Sequence, residues 1–374
     1  MDKVRVIVVD DSAFMRKAIS DIIESEKSFE VIAKFRDGRD LIEKVDDFNP
    51  DIITLDVHMR DLDGLSTLKE LKKRGKSYPI IMLSSATTEG SELTLECLDN
   101  GAISFITKPS GSISLDIAKV KENLINQIRG IMSSRRRNNR TDIHSDITDE
   151  RKVIHNSLKH DEDIKDIAPN FKVSIHKSEN IVPKNKKINA VVIGASTGGP
   201  KALQKVLENI PIDLGVPVFV VQHMPEGFTK VFAERLNKIC KMNVVEAADG
   251  MEINNKTIYI AKGGSHMIIG DSNTIRFNQE PPIWGVRPAV DKLFNSAIKV
   301  YGSNILSVVL TGMGRDGAEG TKNIKDYGGI TIAEDKSTCT IYGMPKAAFE
   351  TGKVDLVLPL DQVCDNIIKI VKRI

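Results

Sequence analysis

The chain has 374 residues, 41% hydrophobic and 28% charged, a globular composition with length for two cored domains. Its formal net charge of +2 excludes a global electrostatic drive toward nucleic acid or membrane. The four cysteines, Cys97, Cys240, Cys339 and Cys364, lack C-x-x-C spacing, which disfavours a disulfide framework or a zinc site and points to a reducing cytoplasm.

The N-terminus runs straight into a strand, with no signal-peptide pattern and no apolar run long enough to span a bilayer. From Lys3 to about Arg129, short apolar strands are predicted at Val4–Val9, Glu30–Phe35, Ile52–Asp56, Ile80–Ser84 and Ala102–Thr107. Amphipathic helices are predicted between them at Ala13–Ser25, Gly38–Asp47, Gly64–Lys73 and Ser91–Asn100. This alternation predicts a five-stranded parallel sheet covered on both faces.

Asp10 and Asp11 end the first of these strands and Asp56 ends the third, positions that lie side by side in a doubly wound sheet. Three carboxylates in one pocket stay ionised only beside a cation, and Mg²⁺ suits a few carboxylates plus water. Lys108 follows the fifth strand and Ser84 closes the fourth. A carboxylate between Mg²⁺ and an ammonium is a good phosphoryl acceptor. Alone, Asp10-Asp11 would read as a cap for the helix starting near Ser12. The matching strand ends at Asp56 and Lys108-Pro109 favour the pocket.

From roughly Ser133 to Asn185 the pattern turns polar and aperiodic, opening on Arg135-Arg136-Arg137, and predicts a solvated linker. No helix-turn-helix pattern follows this basic run, so nucleic acid is not an expected partner.

Regular patterning resumes at Ile188. Strands are predicted at Ala190–Gly194, Val216–Gln222, Val244–Glu246, Ile258–Ala261, Met267–Gly270, Thr274–Phe277, Ile305–Thr311, Ile330–Ala333 and Val354–Leu358. Helices are predicted at Pro200–Asn209, Phe228–Cys240, Ala289–Tyr301, Gly317–Tyr327 and Leu360–Lys372. Asp271-Ser272-Asn273 reads as a hairpin turn. The whole is a second, mostly parallel α/β domain.

Gly194-Ala195-Ser196-Thr197-Gly198 lies between a strand and a helix, the context of a nucleophile elbow. Taken alone the string could also bind phosphate, or Ser196 could cap the helix. His223 ends an almost wholly apolar strand, and Asp316 follows another buried strand after a Gly-Met-Gly turn. Singly, the histidine reads as structural and the aspartate as a helix cap. Together, all three fall at the carboxyl edge of one sheet. They predict Ser196 as nucleophile, His223 as general base then acid, and Asp316 as the carboxylate that orients the imidazole. The chain order Ser–His–Asp differs from that of α/β-hydrolases and of the two serine-protease types. His266 and Asp291, both near glycine-rich or helix-opening turns, could line the pocket instead.

Two resemblances follow. Val8-Val9-Asp10-Asp11-Ser12, Leu55-Asp56-Val57-His58-Met59, Asp63-Gly64-Leu65 and Thr107-Lys108-Pro109 resemble a response-regulator receiver domain of flavodoxin-like fold. The resemblance implies phosphorylation of Asp56 by a histidine kinase, and Mg²⁺ held by Asp11, Asp56 and the His58 backbone carbonyl with Asp10 in support. It also implies switch or phosphoryl-binding roles for Ser84, Phe105 and Lys108. His58 and Arg60 depart from the commonest family residues, an acidic residue and a proline.

Gly194–Pro200, Gln222-His223-Met224-Pro225, Gly263-Gly264-Ser265-His266-Met267, Arg287-Pro288-Ala289-Val290-Asp291, Thr311–Ala318 and Gly343-Met344-Pro345 resemble the catalytic domain of chemotaxis protein-glutamate methylesterases, the CheB family. With the receiver, the likeness runs end to end. It implies a cytoplasmic hydrolase that demethylates glutamate γ-methyl esters on chemoreceptors, releases methanol and, in some members, deamidates glutamines. The implied triad is Ser196, His223 and Asp316, with Met313 at the oxyanion, and no cofactor serves the esterase step. The expected divisions are a receiver over 1–129, a linker over 130–187 and a catalytic domain over 188–374, with the unphosphorylated receiver packed over the cleft. The rival reading is a response regulator whose second half is a non-catalytic binding module.

Overall fold

The computed structural model describes residues 3–85, 87–108, 120–135 and 186–373. The first sheet is built from β1 (Val4–Val9), β2 (Phe29–Phe35), β3 (Ile52–Asp56), β4 (Ile80–Ser84) and β5 (Ser104–Thr107). All four pairings are parallel, in the order β2-β1-β3-β4-β5. Helices α1 (Ala13–Glu24), α2 (Gly38–Phe48), α3 (Gly64–Lys73) and α4 (Thr88–Asp99) connect successive strands. β1, β3 and β4 are almost wholly buried, which is why their sequences read as mostly apolar runs. The strand order reverses beside β1, so the carboxyl ends of β1 and β3 form one crevice.

Two local differences have capping causes. Helix α4 starts at Thr88 rather than Ser91, because Thr87 Oγ1 accepts the Gly90 N–H at 3.0 Å. Helix α2 ends at Phe48 because Asn49 adopts the left-handed conformation, φ 43°, and closes it.

A fifth helix, α5, spans residues 120–135 and was not predicted. Its Val120, Leu124, Ile125, Ile128, Ile131 and Met132 are buried against β1 and α1 residues in one apolar cluster. The spacing is that of an amphipathic helix, so residues 130–135, expected in the linker, belong to this helix. The rest of the expected linker, up to residue 185, lies outside the described residues.

The second sheet contains β6 (Ala190–Ala195), β7 (Val218–Gln222), β8 (Asn243–Glu246), β9 (Thr257–Ile260), β12 (Ile305–Val309), β13 (Ile330–Glu334) and β14 (Leu356–Leu358). Its order is β14-β13-β12-β6-β7-β9-β8, and every pairing is parallel. A separate antiparallel hairpin joins β10 (His266–Gly270) to β11 (Thr274–Asn278), as expected around Asp271-Ser272-Asn273. The helices are α6 (Gly199–Leu207), α7 (Phe228–Asn237), α8 (Val290–Tyr301), α9 (Ala318–Asp326), α10 (Met344–Glu350) and α11 (Leu360–Lys372). The short α10 was not predicted; at seven residues it is too brief to show a helical period, and Pro345 sits in its first turn. β6 lies between β7 and β12, so the crevice at its carboxyl end is flanked by the loops after those two strands.

The two sheets share packed surface. Phe105 of β5 stacks on Phe228 of α7, with ring centroids 4.6 Å apart and planes at 14°. Asp99 and Arg235 form an ion pair, and Lys201 Nζ donates to the Ala102 carbonyl at 3.1 Å. Ile341 and Met313 of the second half pack into the cluster formed by α5.

Candidate active site

Ser196 follows the last residue of β6, and its backbone is fixed on both sides. The Ser196 N–H donates to the Thr311 carbonyl at 3.0 Å, and its carbonyl accepts from Gly199 N–H at 2.7 Å and Gln222 Nε2 at 2.9 Å. Gly198 holds φ 80° to turn the chain into α6, a conformation that favours glycine. Gln222 Nε2 also reaches the His223 carbonyl at 3.1 Å, so one side chain ties the ends of β6 and β7 together. That role was not predicted for Gln222.

His223 Nε2 lies 2.8 Å from Asp316 Oδ2, and Asp316 is 2% exposed. The carboxylate is held from behind: Oδ2 accepts from the Val290 N–H at 2.6 Å and Oδ1 from the Asp291 N–H at 2.9 Å. These donors open α8, whose N-terminal field favours an anion. Burial works to raise the Asp316 pKa, but the His223 contact and the two backbone donors outweigh it and hold the carboxyl below its usual range. Asp291 is pushed up to about 7, first by burial and then by the Asp316 charge. With Nε2–H given to Asp316, the imidazole keeps Nδ1 as its proton acceptor. Ser196 and His223 line one cavity, although among the described residues no hydrogen bond joins them.

Met313 lines the same cavity. Its turn is pinned below by Gly312, whose N–H donates to Ile341 and whose carbonyl accepts from Gly343 and Met344. A Cβ on Gly312 would lie 2.4 Å from Met344 Sδ and 2.8 Å from Ser196 Cβ, so the approach of this turn to the serine requires glycine. Among the described residues no carbonyl accepts the Met313 N–H. Thr311, before the turn, donates its N–H to buried Glu334 Oε2 at 2.7 Å and its hydroxyl to the Thr197 carbonyl at 3.1 Å. Glu334 was missed in sequence because it ends an apolar strand with no motif around it.

The two open candidates are placed behind the triad. His266 is fully buried; its Nδ1 accepts from the Ala289 N–H at 3.1 Å and its Nε2 faces the Pro281 carbonyl at 3.2 Å. Burial lowers its pKa, keeping the ring neutral. Asp291 Oδ1 accepts from Gly317 and Gly320 N–H groups at 3.0 and 2.7 Å.

The cavity measures about 1220 Å³ and is bounded by both halves. Ser196, His223 and Met313 line one side, and Phe105, Glu122, Asn126 and Gln127 of the first half line another.

The acidic crevice forms at the carboxyl ends of β1 and β3. One carboxylate oxygen from each of Asp10, Asp11 and Asp56 lies within 4.8 Å of the others. Lys108 Nζ stands 2.7 Å from both Asp10 and Asp56. Asp56 is 2% exposed, and burial above all raises its pKa to about 6; Lys108 opposes this and Asp10 adds to it. His58 presents its backbone N–H to Asp56 at 3.3 Å, and Arg60 approaches Asp11 at 3.7 Å from solvent. Ser84 is at the edge of this crevice, but its hydroxyl is engaged by Thr94 at 2.6 Å and the Gly90 carbonyl at 3.2 Å. Phe105 faces Phe228 across the two halves.

The response regulator receiver domain model matches residues 6–118, and the CheB methylesterase model matches residues 191–367. A protein-glutamate methylesterase/protein-glutamine glutaminase of Clostridium acetobutylicum is 49% identical over 372 residues, covering 100% of this chain and 99% of that one. One from Methanococcus maripaludis is 41% identical over 378 residues, covering 100% of both. The crystal structure of the Thermotoga maritima CheB methylesterase catalytic domain is 42% identical, covers 50% of this chain and 100% of that one, and superposes with a TM-score of 0.48.

Proposed function

The chain belongs to the protein-glutamate methylesterase/protein-glutamine glutaminase family, and from that premise we propose that Ser196, His223 and Asp316 are its catalytic triad. Its first sheet is a receiver domain, its second a methylesterase domain, and its reaction is the phosphorylation-activated hydrolysis of glutamate γ-methyl esters on chemoreceptors.

The observation that carries the triad is the 2.8 Å contact between His223 and Asp316 in the cavity that Ser196 lines. Ser196 Oγ attacks the ester carbonyl as His223 takes its proton. The tetrahedral oxyanion accepts from the Met313 N–H, on the turn beside the serine, which no carbonyl takes among the described residues. On collapse the C–O bond breaks and methanol leaves with the proton from His223. Water, deprotonated by the same imidazole, then releases free glutamate and restores Ser196. A glutamine amide would follow the same course and release ammonia. Asp316 steadies the imidazolium formed in each half.

Asp10, Asp11 and Asp56 suit a divalent cation, since their oxygens cluster within 4.8 Å. Mg²⁺ bound there would offset charge on the incoming phosphoryl group. Asp56 is the proposed acceptor and Lys108 the fixed cation beside it. A histidine kinase is the proposed donor, and the cytoplasm the proposed location. Among the described residues no helix is long and apolar enough to cross a membrane. We place the receiver through the end of α5 and the catalytic domain from Ile188. In this arrangement β5 and α5 bound the catalytic cavity, so a phosphorylation-driven shift of the receiver would open it.

Methanol release from a methylated receptor fragment tests the reading, with and without Mg²⁺ and a small phosphoryl donor. Release should need Ser196 and rise with the donor only while Asp56 is intact. No release from any receptor by chain phosphorylated at Asp56 would overturn it.

A further inference from the structure

Trp284 is the chain's single tryptophan, and it is 59% exposed. It occupies a tight turn closed by reciprocal hydrogen bonds between Ile283 and Val286, at 3.1 and 3.0 Å. Its φ is 53°, and Gly285 follows at 78°. Left-handed backbone is costly for a bulky side chain, and asparagine or glycine would serve such a turn better. Neither burial nor turn geometry accounts for a tryptophan here.

The Arg315 guanidinium lies 5.0 Å from the centre of this indole. Arg315 directly precedes Asp316, and both Trp284 and Arg315 line the cavity that holds Ser196 and His223. Other basic side chains around these loops are engaged. Lys262 pairs with Glu226 at 3.4 Å, Lys292 pairs with Glu280, and Arg287 Nη1 donates to the carbonyls of Gln279 and Glu280. Arg315 is exposed and, among the described residues, has no acidic partner.

We propose that Trp284 and Arg315 form a substrate-reading lip that binds a carboxylate on the receptor chain beside the scissile ester. The proposal rests on the methylesterase reading above and names what that site prefers. Stacking on an indole fixes the plane of a guanidinium while leaving its edge donors free. A carboxylate accepts two parallel bonds from such an edge, whereas an ester or amide of the same length cannot match its charge. The enzyme makes such carboxylates itself, since each turnover replaces a neutral ester with a glutamate. The lip therefore favours esters that lie beside sites already hydrolysed.

The test uses two tryptophan-free helical peptides, each with one glutamate methyl ester. They differ only in carrying glutamate or glutamine one helical turn from it, and initial rates are read before the glutamine is deamidated. The full chain is assayed for methanol with Mg²⁺ and a phosphoryl donor. The glutamate peptide should show a KM about tenfold lower, as expected for one charge-assisted pair. In Arg315→Gln the ratio of the two KM values should fall to about one, and Arg315→Lys should restore part of it. High salt should narrow the gap in the parent chain. In Ser196→Ala, emission of the single tryptophan should shift on titration with the glutamate peptide at concentrations where the glutamine peptide has no effect. Methanol from both peptides with equal KM would overturn the lip and leave the methylesterase reading standing. If neither peptide yields methanol, yet only the glutamate peptide shifts the tryptophan and Arg315→Gln abolishes the shift, the lip stands and the methylesterase reading fails.

Discussion

Asp291 and Asp316 cap each other's helices. The Asp291 N–H donates to Asp316 Oδ1 at 2.9 Å, and the N–H of Gly317, next after Asp316, donates to Asp291 Oδ1 at 3.0 Å. Asp316 thereby closes the start of α8, and Asp291, which also accepts from Gly320, closes the start of α9. Neither carboxylate can turn without unseating the other. The orientation of Asp316 toward His223 is set by two helix termini rather than by one loop.

Asp291→Ala should therefore reduce methanol release although Asp291 touches neither His223 nor Ser196. The expected loss is about 100-fold in kcat with little change in KM, the effect of misplacing a catalytic group slightly. Asp291→Asn keeps an oxygen acceptor and should stay within several-fold of the parent. An alanine variant that folds and turns over at the parent rate would remove Asp291 from the catalytic framework.

The triad acts as a unit, so its deletions should not add. Asp316→Asn, which leaves the imidazole without its anion, should lower kcat by about 10³–10⁴-fold. Ser196→Ala should lower it further, and adding Asp316→Ala to Ser196→Ala should cost nothing more. A double variant clearly slower than Ser196→Ala would mean that Asp316 serves some serine-independent step.

The contact between the two halves predicts a charge-swap result. Arg235 and Asp99 pair across it, each about one-third exposed at 35%. Arg235→Glu places like charges together and should raise methanol release without phosphoryl donor by about threefold, the scale of a partly exposed pair plus repulsion. Adding Asp99→Arg should return it to the parent level. Equal release from parent, single and swapped chains would show that this contact does not restrain the enzyme.

Much of this arrangement was legible in sequence because strand ends carry both chemistries. Asp10, Asp56, Lys108, Ser196 and His223 each follow an apolar run, and a parallel sheet gathers such ends at one edge. What stayed hidden lies off that pattern. Helix α5 went unread because its apolar positions precede a basic, aperiodic stretch that dominates the local composition. Gln222 and Glu334 act through backbone groups that only the folded register brings to them. The pairing of Asp291 with Asp316 spans two helices separated by a strand, and no local spacing encodes it. Trp284 carried a signal, a lone tryptophan before glycine in a proline-flanked turn, but its partner Arg315 is set by the fold.

The Asp291 charge should also be visible in stability. Burial, and then the Asp316 charge, raise its pKa to about 7, whereas an aspartate in an unfolded chain titrates near ~4. Below about pH 4 both states hold the proton and the site is neutral to stability. Between about pH 4 and 7 the folded chain holds more protons here than the unfolded one, so this site makes the protein less stable as pH rises. Above about pH 7 the loss is complete and level, at most about 4 kcal/mol for a shift of this size. Asparagine cannot ionise. The Tm of Asp291→Asn relative to the parent should therefore climb by about 5 °C or more between pH 5 and pH 8, then stay flat. A Tm difference that is constant across this range would mean that Asp291 is ionised throughout in the folded protein, and that the two backbone donors from α9 outweigh its burial.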